Sequence, residues 1–301
     1  MHCFNCNSNN NFYLFDSEDY VSTEKFKIFR CKDCNLDYPE PRPKNIDKYY
    51  QIDYRKYNNI IQSVFEFIYY LEAKKIDKLF KKNTKKNILE IGCGSGILLK
   101  KFKSLGWNIY GTERQEYVNN LINNELNITS KNLSEFEDNF FDLIILNNSF
   151  EHLMDPSSLI PLFKIKLKTH GCLVINIPSS NSYQYIFGKG DWFHLDVPRH
   201  LQIFADNYFY NFSDKMNFSI KRKKTIGFFW EFFGWFQTLN NKLFMNRNNF
   251  FRSLSNFKSY KNYFFLGFFQ FILLALPSLL LTLLAFINNK GSIKQFIMIK
   301  N

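Results

Sequence analysis

Residues 89–96, LEIGCGSG, are the stretch that decides the fold of this chain. They end an apolar run typical of a buried strand and lead into residues 96–105, whose apolar side chains have helical spacing. Glycines at such a strand-to-helix turn let the backbone approach a ligand closely. The spacing differs from the dinucleotide fingerprint G-x-G-x-x-G, because Ile97 stands where the third glycine of that fingerprint falls. The acidic Glu90 before the glycines suits a cationic ligand better than a pyrophosphate.

Outward from this turn, predicted strands alternate with predicted helices. Such alternation produces a parallel sheet with helices on both faces. We therefore predict an α/β fold with a doubly wound, mostly parallel seven-stranded sheet. The predicted strands are residues 87–91, 107–112, a short strand before Asn132, 141–147, 172–177, 217–228 and 292–300, and the predicted helices are 96–105, 115–123 and 157–167.

The rest of the chain divides around this core. Residues 1–42 form a short cysteine-bearing module, and residues 43–86 have helical periodicity that predicts a linker or lid. The predicted core consists of residues 87–229 together with residues 291–301. Between these two pieces, residues 230–290 are predicted to be an aromatic and apolar helical insertion.

The N-terminal module carries two CxxC pairs, Cys3 with Cys6 and Cys31 with Cys34, separated by 24 residues. Each pair lets two thiolates from one tight turn reach one ion, and two such turns complete a tetrahedral four-sulfur site. We predict a structural zinc ion there. Because four thiolates leave no open coordination position, we assign this ion no catalytic role.

Glu113 follows the second predicted strand, where an acidic residue accepts hydrogen bonds from ribose hydroxyls in nucleotide-binding folds. With this residue, the E-x-G-x-G-x-G motif resembles the class I S-adenosylmethionine-dependent methyltransferases. The resemblance covers about residues 87–228 and continues in FDLIIL at 141–146 and FEHL at 150–153. It implies that Glu90, Gly92, Gly94, Gly96 and Glu113 hold S-adenosylmethionine, that Asn132 and Leu133 flank its adenine, and that Asn147 lies under its methionine part.

The sequence DVPRHL at residues 196–201 resembles a branch of this family often associated with bacterial cell-surface glycan biosynthesis. His200 in this stretch and His152 after the fourth strand both follow carboxyl ends of strands, where ligands of open α/β sheets bind. Both are candidate bases for the methyl acceptor, with His200 the first choice. Arg199 either pairs with Asp196 or meets a phosphate of a nucleotide- or lipid-linked sugar.

One departure from a related group bears on metal chemistry. Quinone-biosynthesis O-methyltransferases of similar fold carry a Glu-x-x-Glu-His run that binds a divalent metal. Asn148 stands in this chain at the first glutamate of that run. The departure disfavours a metal-assisted mechanism.

Residues 264–287 form 24 uncharged, largely apolar positions, which is long enough to cross a bilayer. A single crossing conflicts with the return of residues 292–300 to the sheet. Pro277 stands in the middle and is expected to break the helix. We therefore predict a re-entrant or in-plane helical hairpin, with a buried helix pair or a dimer interface, and a true span, as the alternatives. The basic run KRKK at 221–224 supports membrane contact, because basic residues near a membrane attract anionic lipid.

The formal net charge of +12 suggests an anionic partner, although the accompanying richness in Asn, Ile and Phe is as consistent with compositional drift. The first residues have no apolar signal region, so we expect a cytoplasmic protein attached to the cytosolic membrane face. The expected reaction is O- or C-methylation of a sugar or lipid-linked glycan precursor. Alternatives are an RNA methyltransferase, which the lack of an RNA-recognition motif disfavours, a nucleotide-sugar C-methyltransferase, and a non-enzymatic binding module.

Overall fold

A computed structural model describes residues 2–50, 59–81, 84–114, 126–244, 248–254 and 263–301. The main sheet has seven strands in the order β10-β11-β8-β7-β4-β5-β6. They are β4 (Asn87–Ile91), β5 (Asn108–Thr112), β6 (Ile128–Thr129), β7 (Phe141–Asn147), β8 (Leu167–Pro178), β10 (Phe218–Thr225) and β11 (Ile293–Lys300). β6, β5, β4, β7 and β8 are parallel, and β11 is antiparallel to both β8 and β10. The predicted α/β fold and its seven-stranded sheet are confirmed.

Alternating side chains of the strands supply an apolar layer on each face of this sheet, as strand geometry requires. On one face Leu89 and Ile144 pack with Phe296, which stacks on Phe209 at 4.4 Å between ring centroids. On the other face Ile88 packs with a cluster that includes the helix side chain of Phe102. Burial on both faces explains why the parallel strands are continuous apolar runs in the sequence.

The helices in the described part of the chain are α1 (Asn59–Asp77), α2 (Ile97–Ser104), α3 (Pro156–Lys166), α4 (Tyr183–Gly188), α5 (Asp206–Met216), α6 (Phe228–Phe244), α7 (Asn249–Leu254) and α8 (Tyr263–Ile287). The predicted helix at 115–123 lies outside the described residues. The helical periodicity predicted within residues 43–86 corresponds to a short 3-10 helix, Asp47–Tyr49, and to α1.

A second, smaller sheet contains the N-terminal module. Its strands β1 (Asn11–Glu18), β2 (Lys25–Cys31) and β3 (Leu36–Glu40) are antiparallel neighbours. The fourth strand, β9 (Ile203–Phe204), comes from the core and pairs with β3 through Leu36 and Phe204. The module is therefore joined to the core by a shared sheet.

The prediction that Pro277 breaks the apolar segment into a helical hairpin is wrong. Residues 263–287 form one continuous helix, α8, with Pro277 inside it. Pro277 lies on the exposed side of α8, so its missing N–H and its ring do not disturb the side that packs on α6. On that packed side, Asn240 of α6 donates to Gln270 at 2.7 Å, and Leu274 is buried. Within the described residues, α8 is the helix that is long and apolar enough to cross a membrane by length and composition, and 28% of its apolar window is buried.

Candidate active site

The glycine loop between β4 and α2 has the backbone that its sequence predicts. Gly92, Gly94 and Gly96 have φ values of +71°, +52° and +70°, which residues with a side chain rarely adopt. A Cβ on Gly92 would lie 2.6 Å from the Cβ of Ser149, so this glycine permits a close approach to the loop after β7. A Cβ on Gly94 would meet nothing within 4 Å. The loop is thus tightly packed at Gly92 and open at Gly94, where a ligand can approach the backbone.

Glu113, directly after β5, lies across this open part of the loop. Its carboxylate accepts the N–H of Gly94 at 2.7 Å and the N–H of Arg114 at 2.9 Å. The neighbouring parallel strands bring Glu113 and the glycine loop to the same edge of the sheet. The side chain that the sequence assigned to the ribose hydroxyls therefore faces the cofactor loop.

Glu90 is buried inside β4, just before the loop. Burial raises its pKa well above the usual value, and the charges of Glu113 and Glu72 raise it further. Among the described residues, its Oε2 atom has no hydrogen-bond partner. A buried carboxyl oxygen without a partner is costly, and a cationic ligand would relieve that cost. The unpartnered carboxyl oxygen of Glu90 therefore fits the positively charged sulfur or ammonium group of S-adenosylmethionine.

Asn147, at the end of β7, belongs to a row of amides that crosses three strands. Its Oδ1 accepts from Asn176 of β8 at 3.0 Å. Asn176 and Gln295 of β11 both donate to Glu72 of α1, at 3.1 and 2.8 Å. This row holds α1 against the edge of the sheet that carries the loop. Glu72 was not predicted from the sequence, although a carboxylate four residues from both Ile68 and Ile76, inside the apolar stripe of α1, was a signal for it.

The two residues assigned to the adenine have structural partners. Asn132 caps a short 3-10 helix, Leu133–Glu135, and its N–H donates to Glu135 at 2.7 Å. The side chain of Leu133 is buried in the apolar layer. Their contact with adenine stays a prediction.

His152 and His200 meet beyond the end of β7, with ring centroids 4.7 Å apart. The Nδ1 atom of His152 lies 2.8 Å from the backbone oxygen of Arg199 and 3.0 Å from the hydroxyl of Tyr50. Because a carbonyl oxygen only accepts, neutral His152 carries its proton on Nδ1 and keeps a lone pair on Nε2. His152 is half-buried, whereas His200 is buried, with Nε2 3.8 Å from Glu151.

Arg199 has no exposed side-chain surface. Its guanidinium donates to Asp196 at 2.8 Å, to Asp19 at 2.6 Å and to the backbone oxygen of Tyr49 at 3.1 Å. Of the two roles left open by the sequence, the structure has the pairing with Asp196 and leaves no guanidinium surface for a phosphate. Asp19 and Tyr50 were not predicted as site residues. Both reach the site from the N-terminal part of the chain, through contacts that no local sequence pattern predicts.

Within the part of the chain that the structure describes, two groups of side chains have spacings that could hold a metal ion. One atom from each of Glu151, His152 and His200 lies within 4.8 Å of the others. The expectation that Asn148 disfavours a metal-assisted mechanism therefore stays a prediction.

The second group is Cys3, Cys6, Cys31 and Cys34 of the N-terminal module. The sulfurs of Cys3 and Cys34 are 3.6 Å apart, and those of Cys6 and Cys31 are 3.5 Å apart. A zinc ion with bonds of about 2.3 Å to four sulfurs sets neighbouring sulfurs about 3.8 Å apart. The four thiols thus fit a tetrahedral zinc ion.

Comparison with known proteins identifies the family of this chain. A family model described as a methyltransferase domain matches residues 64–222. A curated relative, the ubiquinone biosynthesis O-methyltransferase of Paraburkholderia phymatum, is 26% identical over 114 residues, which cover 35% of this chain and 49% of the relative. The matched region thus spans about half the length of that relative.

Solved structures give the same fold. The phosphoethanolamine N-methyltransferase 2 of Haemonchus contortus, in complex with S-adenosyl-L-methionine, is similar with a TM-score of 0.52 and 13% identity over 97% of this chain and 70% of that one. An S-adenosylmethionine-dependent methyltransferase from Archaeoglobus fulgidus has a TM-score of 0.47 and 16% identity over 78% of this chain and 94% of that one.

Gly94→Asp should weaken cofactor binding without unfolding the protein. The new carboxylate enters open space beside Glu113, and like charges this close oppose each other by about 1 kcal/mol or more. We expect calorimetry to show at least about tenfold weaker binding of S-adenosylhomocysteine. Gly106→Asp is the matched control, because Gly106 also has a positive φ, +85°, and a Cβ added there would meet no atom within 4 Å. Equal affinities in both variants would contradict the assigned loop.

Metal analysis of the purified protein should find about one zinc ion per chain. Cys31→Ser removes one of the four sulfurs and should lose the ion. Cys172→Ser, which changes a cysteine buried in β8, should keep it. A folded wild-type protein without zinc would show that the four thiols serve another purpose.

Proposed function

The chain belongs to the methyltransferase domain family, and from this membership we propose that it transfers a methyl group from S-adenosylmethionine to a sugar or lipid-linked glycan precursor at the cytosolic face of a membrane. The observation that carries the proposal is the contact between the cofactor loop and the segment after β7 that leads into His152. Ser149 packs against Gly92 and donates to the backbone oxygen of Ile91 at 2.6 Å. His152 follows three residues later. The two halves of the reaction therefore share one edge of the sheet.

S-adenosylmethionine, when bound, supplies a methyl group on a positively charged sulfur. The chain's own residues position both partners, which provides much of the rate in a displacement reaction. Glu90 offers its buried carboxyl oxygen to the cationic end of the cofactor, and Glu113 offers acceptors to the ribose. The Nε2 atom of His152 accepts the proton of an acceptor hydroxyl as the oxygen takes the methyl group. The Nδ1–H bond to the backbone oxygen of Arg199 stabilises the imidazolium that results.

The geometry favours His152 over His200 as this base. His200 is buried and lies between Glu151 and Asp196, whereas His152 is partly exposed and has a defined tautomer. An oxygen acceptor agrees with the O-methyltransferase activity in the name of the curated relative. We accordingly propose O-methylation.

The exposed side of α8 supports attachment to a membrane. Apolar side chains cover this side along the whole helix, and contiguous apolar surface of this extent on a protein marks an interaction site. The most exposed of them are Phe265, Phe268, Phe269, Ile272, Leu273, Leu276, Leu280 and Ile287. Lipid contact would remove this surface from water at about 25 cal/mol per Å².

Both ends of the insertion return to the same side of the molecule, which favours a helix lying in the membrane plane over a span. At the C-terminal end, Asn289 accepts the N–H of Thr225 in β10 at 2.6 Å, and β11 begins at Ile293 between β10 and β8. The basic run 221–224 lies on β10, with Lys221 and Arg222 exposed. These cations would meet anionic headgroups beside the apolar helix.

The helices α6 and α8 pack against Phe193, which lies just before the stretch 196–201. Phe233 and Phe236 of α6 and Leu274 of α8 share an apolar cluster with Phe193. Phe193 belongs to the short 3-10 helix Phe193–Leu195, which leads into the stretch 196–201 with Arg199 and His200. An acceptor with a lipid tail could therefore lie in the membrane while its sugar reaches the histidines.

His152→Gln should lower methyl transfer by about 10²–10⁴-fold, because it removes the proton acceptor. The assay follows labelled methyl groups from S-adenosylmethionine into membrane extracts of cells that lack the gene. Affinity for S-adenosylhomocysteine should not change. His170→Asn, at an exposed residue of β8 with a positive φ, should retain full activity. Normal transfer by His152→Gln together with a large loss in His200→Gln would move the base to His200.

The protein should sediment with membranes and resist release by salt, because the apolar contribution does not weaken with ionic strength. Leu273→Glu with Leu280→Glu places charges on the exposed side of α8 and should release the protein. Lys100→Glu with Lys103→Glu, which places two carboxylates on the exposed side of α2, should not. A wild-type protein that stays soluble as a stable dimer would instead assign the exposed side to contact between two copies.

A further inference from the structure

The N-terminal module contributes a buried charge to the acceptor side. Asp19, between β1 and β2, has no exposed side-chain surface and accepts from the guanidinium of Arg199 at 2.6 Å. The turn that follows holds the carboxylate in place, because the N–H groups of Val21 and Ser22 donate to it at 3.2 and 2.9 Å. Asp19 is therefore a fixed acceptor for Arg199.

The fixed position of the Arg199 guanidinium also restricts the backbone of Arg199. Its planar guanidinium donates in three directions, to Asp19, to Asp196 and to the backbone oxygen of Tyr49. A guanidinium held at three points allows little movement of the residue that carries it. The backbone oxygen of the same residue accepts from Nδ1 of His152 at 2.8 Å.

We propose that Asp19 is a positioning residue for His152 and that it acts through Arg199. The module holds Arg199, the carbonyl of Arg199 selects the Nδ1–H tautomer of His152, and the tautomer directs the Nε2 lone pair toward the acceptor. The role of His152 as the base comes from the proposed function, on which this inference rests. The N-terminal module thereby becomes a part of the acceptor site, in addition to being a structural appendage.

Tyr50 contacts the same imidazole from the same direction. It is adjacent to Tyr49, whose backbone oxygen binds Arg199, and its hydroxyl lies 3.0 Å from Nδ1 of His152. A shift of Arg199 would therefore move both neighbours of Nδ1 together. This shared dependence makes the tautomer of His152 a sensitive reporter of the contact with Asp19.

The test is nitrogen-15 NMR of the full chain labelled on histidine, with the His152 signals assigned by their loss in His152→Gln. In the wild type we expect a protonated Nδ1 and an unprotonated Nε2. In Asp19→Asn, which keeps the shape but removes the charge, both nitrogens should move toward the averaged shifts of exchanging tautomers. S-adenosylhomocysteine should bind with unchanged affinity, because the cofactor loop is untouched.

Asp37→Asn is the matched control. Asp37 is a buried aspartate of the same module, but its partners are Arg30 at 2.6 Å and Tyr185. It should leave the His152 shifts as in the wild type. An equal change in both variants would reduce the effect to general loosening of the module and overturn the proposal, as would wild-type shifts in Asp19→Asn.

Arg199→Lys serves if Asp19→Asn does not fold. Lysine keeps the positive charge but cannot bind Asp19, Asp196 and Tyr49 together, so the same change in the His152 shifts is expected, and wild-type shifts would overturn the proposal. Failure of the proposed function is distinguishable. Normal methyl transfer by His152→Gln would show that His152 is not the base. The tautomer change in Asp19→Asn would still support the positioning contact.

Discussion

The buried guanidinium of Arg199 is the constraint on which the acceptor side of this molecule depends. Removing one partner of a buried charge pair typically costs about 3–5 kcal/mol, because the other charge remains in a poorly solvated place. Arg199 has carboxylates on both sides, Asp19 from the N-terminal module and Asp196 from its own loop. The module, the loop and the histidine that contacts the Arg199 carbonyl consequently have to be assembled together. The pairing of β3 with β9 adds a second, backbone connection between the same parts.

The position of β11 imposes the second constraint. Because β11 lies between β10 and β8, the chain must return to the interior of the sheet after α8. The insertion can extend from the fold, but its two ends stay close together on one side. This geometry lets the fold present a long apolar helix while both ends of the insertion stay with the sheet, and it brings that helix close to the stretch 196–201 through Phe193.

Most of the fold could be predicted because its signals are local. The strands β4 and β7 are apolar runs, and the positive φ values of Gly92, Gly94 and Gly96 follow from the spacing of the glycines. Contacts between distant parts of the chain were not predictable in this way. Asp19 binds Arg199, which lies 180 residues later in the chain. No motif around Asp19 predicts this contact. Pro277 misled for a related reason, since the intrinsic preference of proline was outweighed by the packing of α8 on α6.

If the cofactor loop and His152 form one site, a crystal structure with S-adenosylhomocysteine should show the thioether sulfur facing His152. The space between the sulfur and Nε2 should admit one hydroxyl, so that the reacting atoms can approach to about 3–3.5 Å. Glu113 should turn from the N–H of Gly94 toward the ribose. A sulfur that opens on another side of the sheet, away from His152, would show that the loop and His152 do not form one site.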